Sequence, residues 1–208
     1  MSSSALPSAP LARFGPWWPG VAVLVLMCTV LLASGITVDN VRAAIRATAR
    51  LSLVCFCLAY AASALWQVRP TPLSAWLRRH RRQWGLLFVA SHTVHLVFIG
   101  MLRLLDPALF ASLVPAATLV SGTLAYAVLW AMGLSSNDRV AARMGAPAWR
   151  RLHTWGSHYL WLSFAVAYGK RVPLDAVYAL PFALLLVVLG LRLGCALRRP
   201  SSSVPSRP

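Results

Sequence analysis

Apolar residues run almost unbroken through six stretches of this chain, and short polar, arginine-rich segments separate them. The stretches cover roughly residues 17–37, 44–67, 84–104, 108–134, 152–169 and 173–195. Each approaches the ~20 residues an α-helix needs to cross the hydrocarbon layer of a bilayer. The pattern predicts an all-α fold, an integral membrane bundle of six transmembrane helices occupying residues 17–195. The first run, VAVLVLMCTVLLASG, has the length and small-residue ending of a signal peptide. With a single flanking arginine and five more spans behind it, it reads as an uncleaved first helix. Residues 1–16 are polar and proline-rich, and residues 196–208 are basic and serine-rich. Both ends are expected to be disordered.

The connecting segments carry their own signals. VRPTPLSAWLRRHRRQ reads as a loop or interfacial helix after a proline break, and SSNDRVAARMGAPAWRR as a short amphipathic helix on the headgroups. LLDPALF and GKRVPLD are tight turns that each place a proline at the start of the next helix. Charge then orients the bundle. The chain is 59% hydrophobic and 12% charged, with a net charge of +16. Its basic residues form no single patch but punctuate the spans, which argues against a nucleic-acid partner. Fourteen of the twenty, from Arg13 through the clusters around Arg69–Arg82 and Arg139–Arg151 to Arg192–Arg207, fall on one side when the helices alternate. The positive-inside rule therefore predicts cytoplasmic N- and C-termini, as in a bacterial-type inner membrane, with anionic lipid against the arginines.

Acidic residues are scarce: Asp39, Asp106, Asp138 and Asp175, with no glutamate. None lies mid-span, which weakens a proton-pump or transporter reading. Cys28, Cys55, Cys57 and Cys195 lie within or beside the spans without zinc-site spacing, and read as small buried thiols.

The informative chemistry is in the histidines. His92 and His95 sit in WGLLFVASHTVHLVFIG, and His153 and His158 in LHTWGSHYLWLSFAVAY. Ionisable and ligating side chains inside lipid-spanning helices are expensive and typically face a bundle interior or a cofactor. An iron porphyrin needs an apolar slot and axial nitrogen donors. Counting rise from Trp84 puts His92 about 12 Å and His95 about 16 Å into the third span. Counting from Arg151 puts His153 about 3 Å and His158 about 10 Å into the fifth. Depth therefore matches His92 with His158. His92 and His95, three apart, share a face; His153 and His158, five apart, do not. Gly156 and Ser157 leave room beside His153 for a porphyrin edge or a close helix contact. Trp155 and Trp161 are candidates to stack on a porphyrin, although packing is the simpler account of them. His80, within RRHRR, reads as a solvated loop residue.

Two stretches carry a family resemblance. RRQWGLLFVASHTVHL resembles the pattern of ferric reductase-like transmembrane proteins, with an Arg-Arg and a glycine ten residues before a histidine: here Gly85 and His95. WRRLHTWGSHYLW resembles that family's second block, with His153 at the matching histidine. The likeness spans roughly residues 35–170. It implies a six-helix bundle that carries electrons across the bilayer through b-type haem, as in the haem-binding membrane subunit of the methionine-sulfoxide reductase system. The family pattern has a further histidine thirteen residues beyond the first on the later span, where this chain has Val166. His92 and His158 are additional to that pattern.

The sequence thus leads to a membrane cytochrome b-like electron-transfer protein, binding haem b between the third and fifth spans. His95 and His153 are the ligands by motif, and His92 and His158 by depth. Arg81, Arg82, Arg150 and Arg151 are candidate partners for haem propionates. With no glycine-rich nucleotide fingerprint, the chain would act as the membrane subunit of an oxidoreductase, with a separate quinol or flavoprotein donor and an acceptor protein. The alternative is a haem-free membrane scaffold or assembly protein that retains the bundle.

Overall fold

The computed structural model describes residues 17–198, and the expected disordered segments, 1–16 and nearly all of 196–208, lie outside the described residues. The described chain is helical throughout: α1 Trp17–Ala33, α2 Val38–Val68, α3 Pro72–Arg79, α4 Arg81–Leu105, α5 Pro107–Leu113, α6 Ala116–Leu134, α7 Asp138–Met144, α8 Ala146–Gly169 and α9 Ala179–Leu197, with a 3-10 turn at Ala176–Tyr178. Five long helices close a ring in which α2 lies beside α4, α4 beside α6, α6 beside α8, α8 beside α9 and α9 beside α2. Helix α1 leans on α2 and α4 from outside.

Four segments are long and apolar enough to cross a membrane: Val38–Val68, Arg81–Leu105, Ala116–Leu134 and Ala176–Leu197. This is the make-up of a multi-pass membrane protein, and it supports four of the six expected spans. The other two differ for physical reasons. Helix α1 has 17 residues, at the short end of what reaches across the hydrocarbon. Helix α8 is long, but Arg150, Arg151, His153, Thr154, Ser157 and His158 dilute its apolarity.

The expected run 108–134 is also not one helix. It breaks between α5 and α6 at Val114, whose backbone is extended at φ −124° and ψ 77°. Pro115 disfavours helical geometry at the residue before it and has no N–H to continue the ladder. The two connecting segments that read as loops or short helices contain α3 and α7. A Thr71–Ser74 capping box starts α3. Gly145, at φ 78°, turns the corner from α7 into α8, a conformation that favours glycine.

Small polar side chains let α2 and α4 approach closely. Thr48, Ser52 and Ser91 are almost fully buried, and the Ser52 and Ser91 hydroxyls meet at 2.8 Å. Hydroxyls facing one another between helices satisfy groups that lipid cannot. About one turn nearer the arginine-rich end the core is aromatic: Phe56, Phe88 and Phe164 form a layer with centroid separations of 5.3, 5.4 and 5.8 Å. The cysteines are free thiols, and Cys55, Cys57 and Cys195 are buried as expected. All four aspartates hold local structure. Asp39 pairs with Arg42 and Asp138 with Arg82; Asp106 and Asp175 accept from the backbone N–H groups of Leu109 and Val177.

Candidate functional site

The four span histidines do not converge on one point. His92 and His95 form one pair, their rings stacked at 5.0 Å and 19°. The Nδ1 atom of His95 lies 3.1 Å from the Ile45 carbonyl and 3.0 Å from the Thr48 hydroxyl. A carbonyl only accepts, so Nδ1 carries the proton and Nε2 keeps its lone pair. A backbone carbonyl on the far nitrogen is the usual orienting partner of a metal-ligating imidazole. It serves equally well to fix a packed ring. His92 is stacked on its other side by Tyr126 at 5.0 Å and meets Phe164 edge-on at 5.6 Å. Its Nδ1 is buried with no hydrogen-bond partner. Parallel rings face to face cannot aim their nitrogens at an iron from opposite sides, so His92 and His95 do not form an axial pair with each other.

His153 occupies a different setting. A cavity of about 400 Å³ opens between α2, α4, α6 and α8 at the arginine-rich end of the bundle. Its floor is apolar, including Phe56, Phe88, Leu129 and Leu160, and Gly85 and Gly133 give it width. Its rim carries Arg78, Arg79, Arg81, Arg82 and Arg192. Among the described residues only Arg82 of these has a carboxylate partner, Asp138 at 3.0 Å. His153 is the one imidazole in the lining, with Nε2 2.9 Å from the Ser135 hydroxyl. Trp149 stacks on its ring at 4.2 Å and donates from Nε1 to the Ser135 carbonyl. Ring orientation and hydroxyl position are therefore set together.

The aromatic layer separates the two settings: Phe56 and Phe88 line the cavity, and Phe88 touches His92 on the other side at 5.4 Å. The same layer corrects the depth argument. Helices α4 and α8 run in one direction, since Arg81, Arg82 and His153 border one cavity. Phe164 sits level with Phe88 and His92, 5.8 and 5.6 Å from their rings. His158, six residues earlier, therefore lies about 9 Å nearer the arginine end, and His153 about 16 Å nearer. His158 is thus not matched to His92. It bonds instead through Nδ1 to the Tyr60 hydroxyl at 3.0 Å and lines a second, smaller cavity.

Other expectations change as well. His80 is not solvated: it is 7% exposed, with Nδ1 2.8 Å from the Trp76 carbonyl and its ring against Trp76. It plugs the corner between α3 and α4. Trp155 is 74% exposed on the outer face, and Trp161 donates to the Leu185 carbonyl of α9; neither stands beside His153. Val166, in place of the family's further histidine, is 56% exposed on the outside of α8. Arg150 and Arg151 do not line the cavity, whereas Arg78, Arg79 and Arg192 do. Gly156 packs directly on α6, where an added Cβ would lie 2.6 Å from Met132 Sδ. Trp149, Tyr60, Tyr126 and Arg192 escaped the sequence reading, because their roles depend on which helices become neighbours.

Among the described residues no group of three or more His, Cys, Asp or Glu side chains gathers as a bare metal ion would require. A porphyrin asks less of the protein: an apolar slot, one or two axial donors and cations for its propionates. The larger cavity supplies the slot, one imidazole and the cations. Comparison with protein-family models, with characterised proteins and with solved structures finds no match to this chain. The ferric reductase-like resemblance therefore rests on its two sequence motifs alone.

Proposed function

We propose that this is a membrane electron-transfer protein of the cytochrome b type, with haem held between α4 and α8 in the arginine-rimmed cavity. One observation carries the reading: His153 lines a space within the usual 300–1,000 Å³ range of cofactor sites, floored by aromatic side chains and rimmed by five guanidiniums against a single carboxylate, Asp138. In this reading His153 Nε2, now bonded to the Ser135 hydroxyl, would be the donor to iron, Trp149 would hold the imidazole plane, and Arg78, Arg79 and Arg81 would neutralise the propionates. Haem, when bound, supplies a one-electron carrier. The chain excludes water with Phe56, Phe88 and Leu160 and fixes the donor atom. Helices α1 and α8 complete six spans, α8 with its polar side inward, and the arginine-rich end faces the cytoplasm of a bacterial-type inner membrane. A separate quinol or flavoprotein supplies electrons to an acceptor protein.

A second reading, a haem-free scaffold or assembly partner, draws on a specific observation too. Every one of the four imidazoles is already engaged by protein, three through hydrogen bonds and His92 through stacking. Haem titration in detergent separates the two. Gly85 lines the cavity, and a Cβ there meets nothing within 4 Å, so Gly85→Leu fills the slot while the helix stays in place. The cytochrome reading expects saturable b-type absorbance in the wild type and at least about tenfold weaker binding in Gly85→Leu, roughly the effect of occupying part of a ligand's volume. No b-type spectrum in the wild type, or equal binding by both proteins, favours the scaffold.

A further inference from the structure

The second cavity, about 330 Å³, lies between α2, α8 and α9 with Arg81 of α4 at its edge. Its lining joins two guanidiniums, Arg81 and Arg192, and the polar side chains of Tyr60, Gln67, Thr154 and His158 to small and apolar residues of α2 and α9. No carboxylate lines it, and neither arginine is ion-paired among the described residues. Arg192 is the informative one. It projects from the interior of α9, half-buried, with its guanidinium carbon 4.1 Å from the centre of the Tyr60 ring. It donates to the Tyr60 carbonyl at 3.4 Å, and the Tyr60 hydroxyl is tied to His158 Nδ1 at 3.0 Å. The guanidinium is thereby held flat on an aromatic face with most of its five N–H donors still free.

A cation fixed in this way, partly out of water and without a counter-charge, calls for an anion that offers several oxygens. We infer that this cavity binds a phosphate ester, clasped between Arg81 and Arg192, with Tyr60 and His158 as the rigid support that aims Arg192. A planar guanidinium pairs two oxygens of a phosphate at once, which an isolated surface lysine does not. The position favours a phospholipid as the source. The cavity sits at the arginine-rich end, and Leu193 in its wall and Leu186, two turns deeper on the same face of α9, are 49% and 48% exposed, an apolar path for acyl chains. A free phosphate ester offers the same chemistry, and the test distinguishes the two.

The two cavities share Tyr60, Arg81 and Arg192 but not His153 or His158. Arg81 is common to both sites, so the test reads bound lipid in the absence of haem, and its outcome is distinguishable from that of haem binding at His153. Native mass spectrometry of the detergent-solubilised full chain, titrated with phosphatidylglycerol, reads the bound lipid directly. The wild type is expected to hold one phosphatidylglycerol saturably. Arg192→Gln and Arg81→Gln should each weaken it about tenfold, the scale of one charge-assisted contact pair, while His153→Ala leaves it unchanged. The Arg81 side chain is exposed and makes no hydrogen bond among the described residues, so its variant keeps the fold, and its thermal midpoint verifies this. If inorganic phosphate displaces the lipid or binds alone with the same arginine dependence, the ligand is a soluble phosphate at this site. No saturable binding of either probe, or binding that both arginine variants leave intact, overturns the inference.

Discussion

His153 and the His92–His95 pair place the same side chain in opposite surroundings, on either side of one aromatic layer. On the cavity side, the imidazole has a hydroxyl partner, open volume beside it and a surplus of guanidiniums. On the other side, the two imidazoles are stacked with Tyr126 and pinned to Ile45 and Thr48. A buried histidine in a membrane helix is thus not by itself a ligand. Free volume and the charge at its mouth distinguish the imidazole proposed here to bind from the packed pair. The packed pair knits α2 to α4 and α6, and the cavity imidazole leaves α4 and α8 apart.

That contrast can be strained by substitutions of decreasing consequence. His95→Ala removes a ring that spans α2 and α4 and leaves its partners bare, so it should lower unfolding stability by about 2–3 kcal/mol. His153→Ala, beside open volume, should lose under about 1 kcal/mol; thermal unfolding in a single detergent compares them, and equal losses would erase the distinction. Gly156→Ala places a Cβ 2.6 Å from Met132 Sδ and 3.0 Å from Val128 Cγ1. It should cost about 1–3 kcal/mol by overpacking and, because Met132 lines the cavity, weaken any ligand held there. Ser52→Ala or Ser91→Ala should each cost about 1 kcal/mol, with the double variant no worse than either single one, because the orphaned partner is gone. Gly85→Ala is the mildest. It adds a methyl to open space and removes glycine's helix penalty, so stability should hold or rise by up to about 1 kcal/mol.

Much of the scaffold is legible in the chain because lipid imposes a simple rule. Long apolar runs yield α2, α4, α6 and α9, and the three-residue spacing of His92 and His95 foretells their shared face. Pro115 marks the break before α6, but it is embedded in a run so apolar that the run dominates the reading. The depth match of His92 with His158 fails because counting from each helix's first residue assumes that both helices start level. Side-chain packing fixes that offset, through Phe164 against Phe88 and His92, and no local pattern encodes it. The Tyr60–His158 bond and Arg192 over Tyr60 join residues 98 and 132 positions apart. They depend on α9 closing the ring beside α2. Arg192 carries no mark in the sequence that separates it from a topology signal.

Reduced-minus-oxidised difference spectra of the haem-supplemented wild type, His153→Ala and His92→Ala, each confirmed folded, bear most directly on the cavity as the seat of electron transfer. The account expects a b-type band in the wild type and in His92→Ala and none in His153→Ala. A band that survives loss of His153 and disappears with His92 would contradict it.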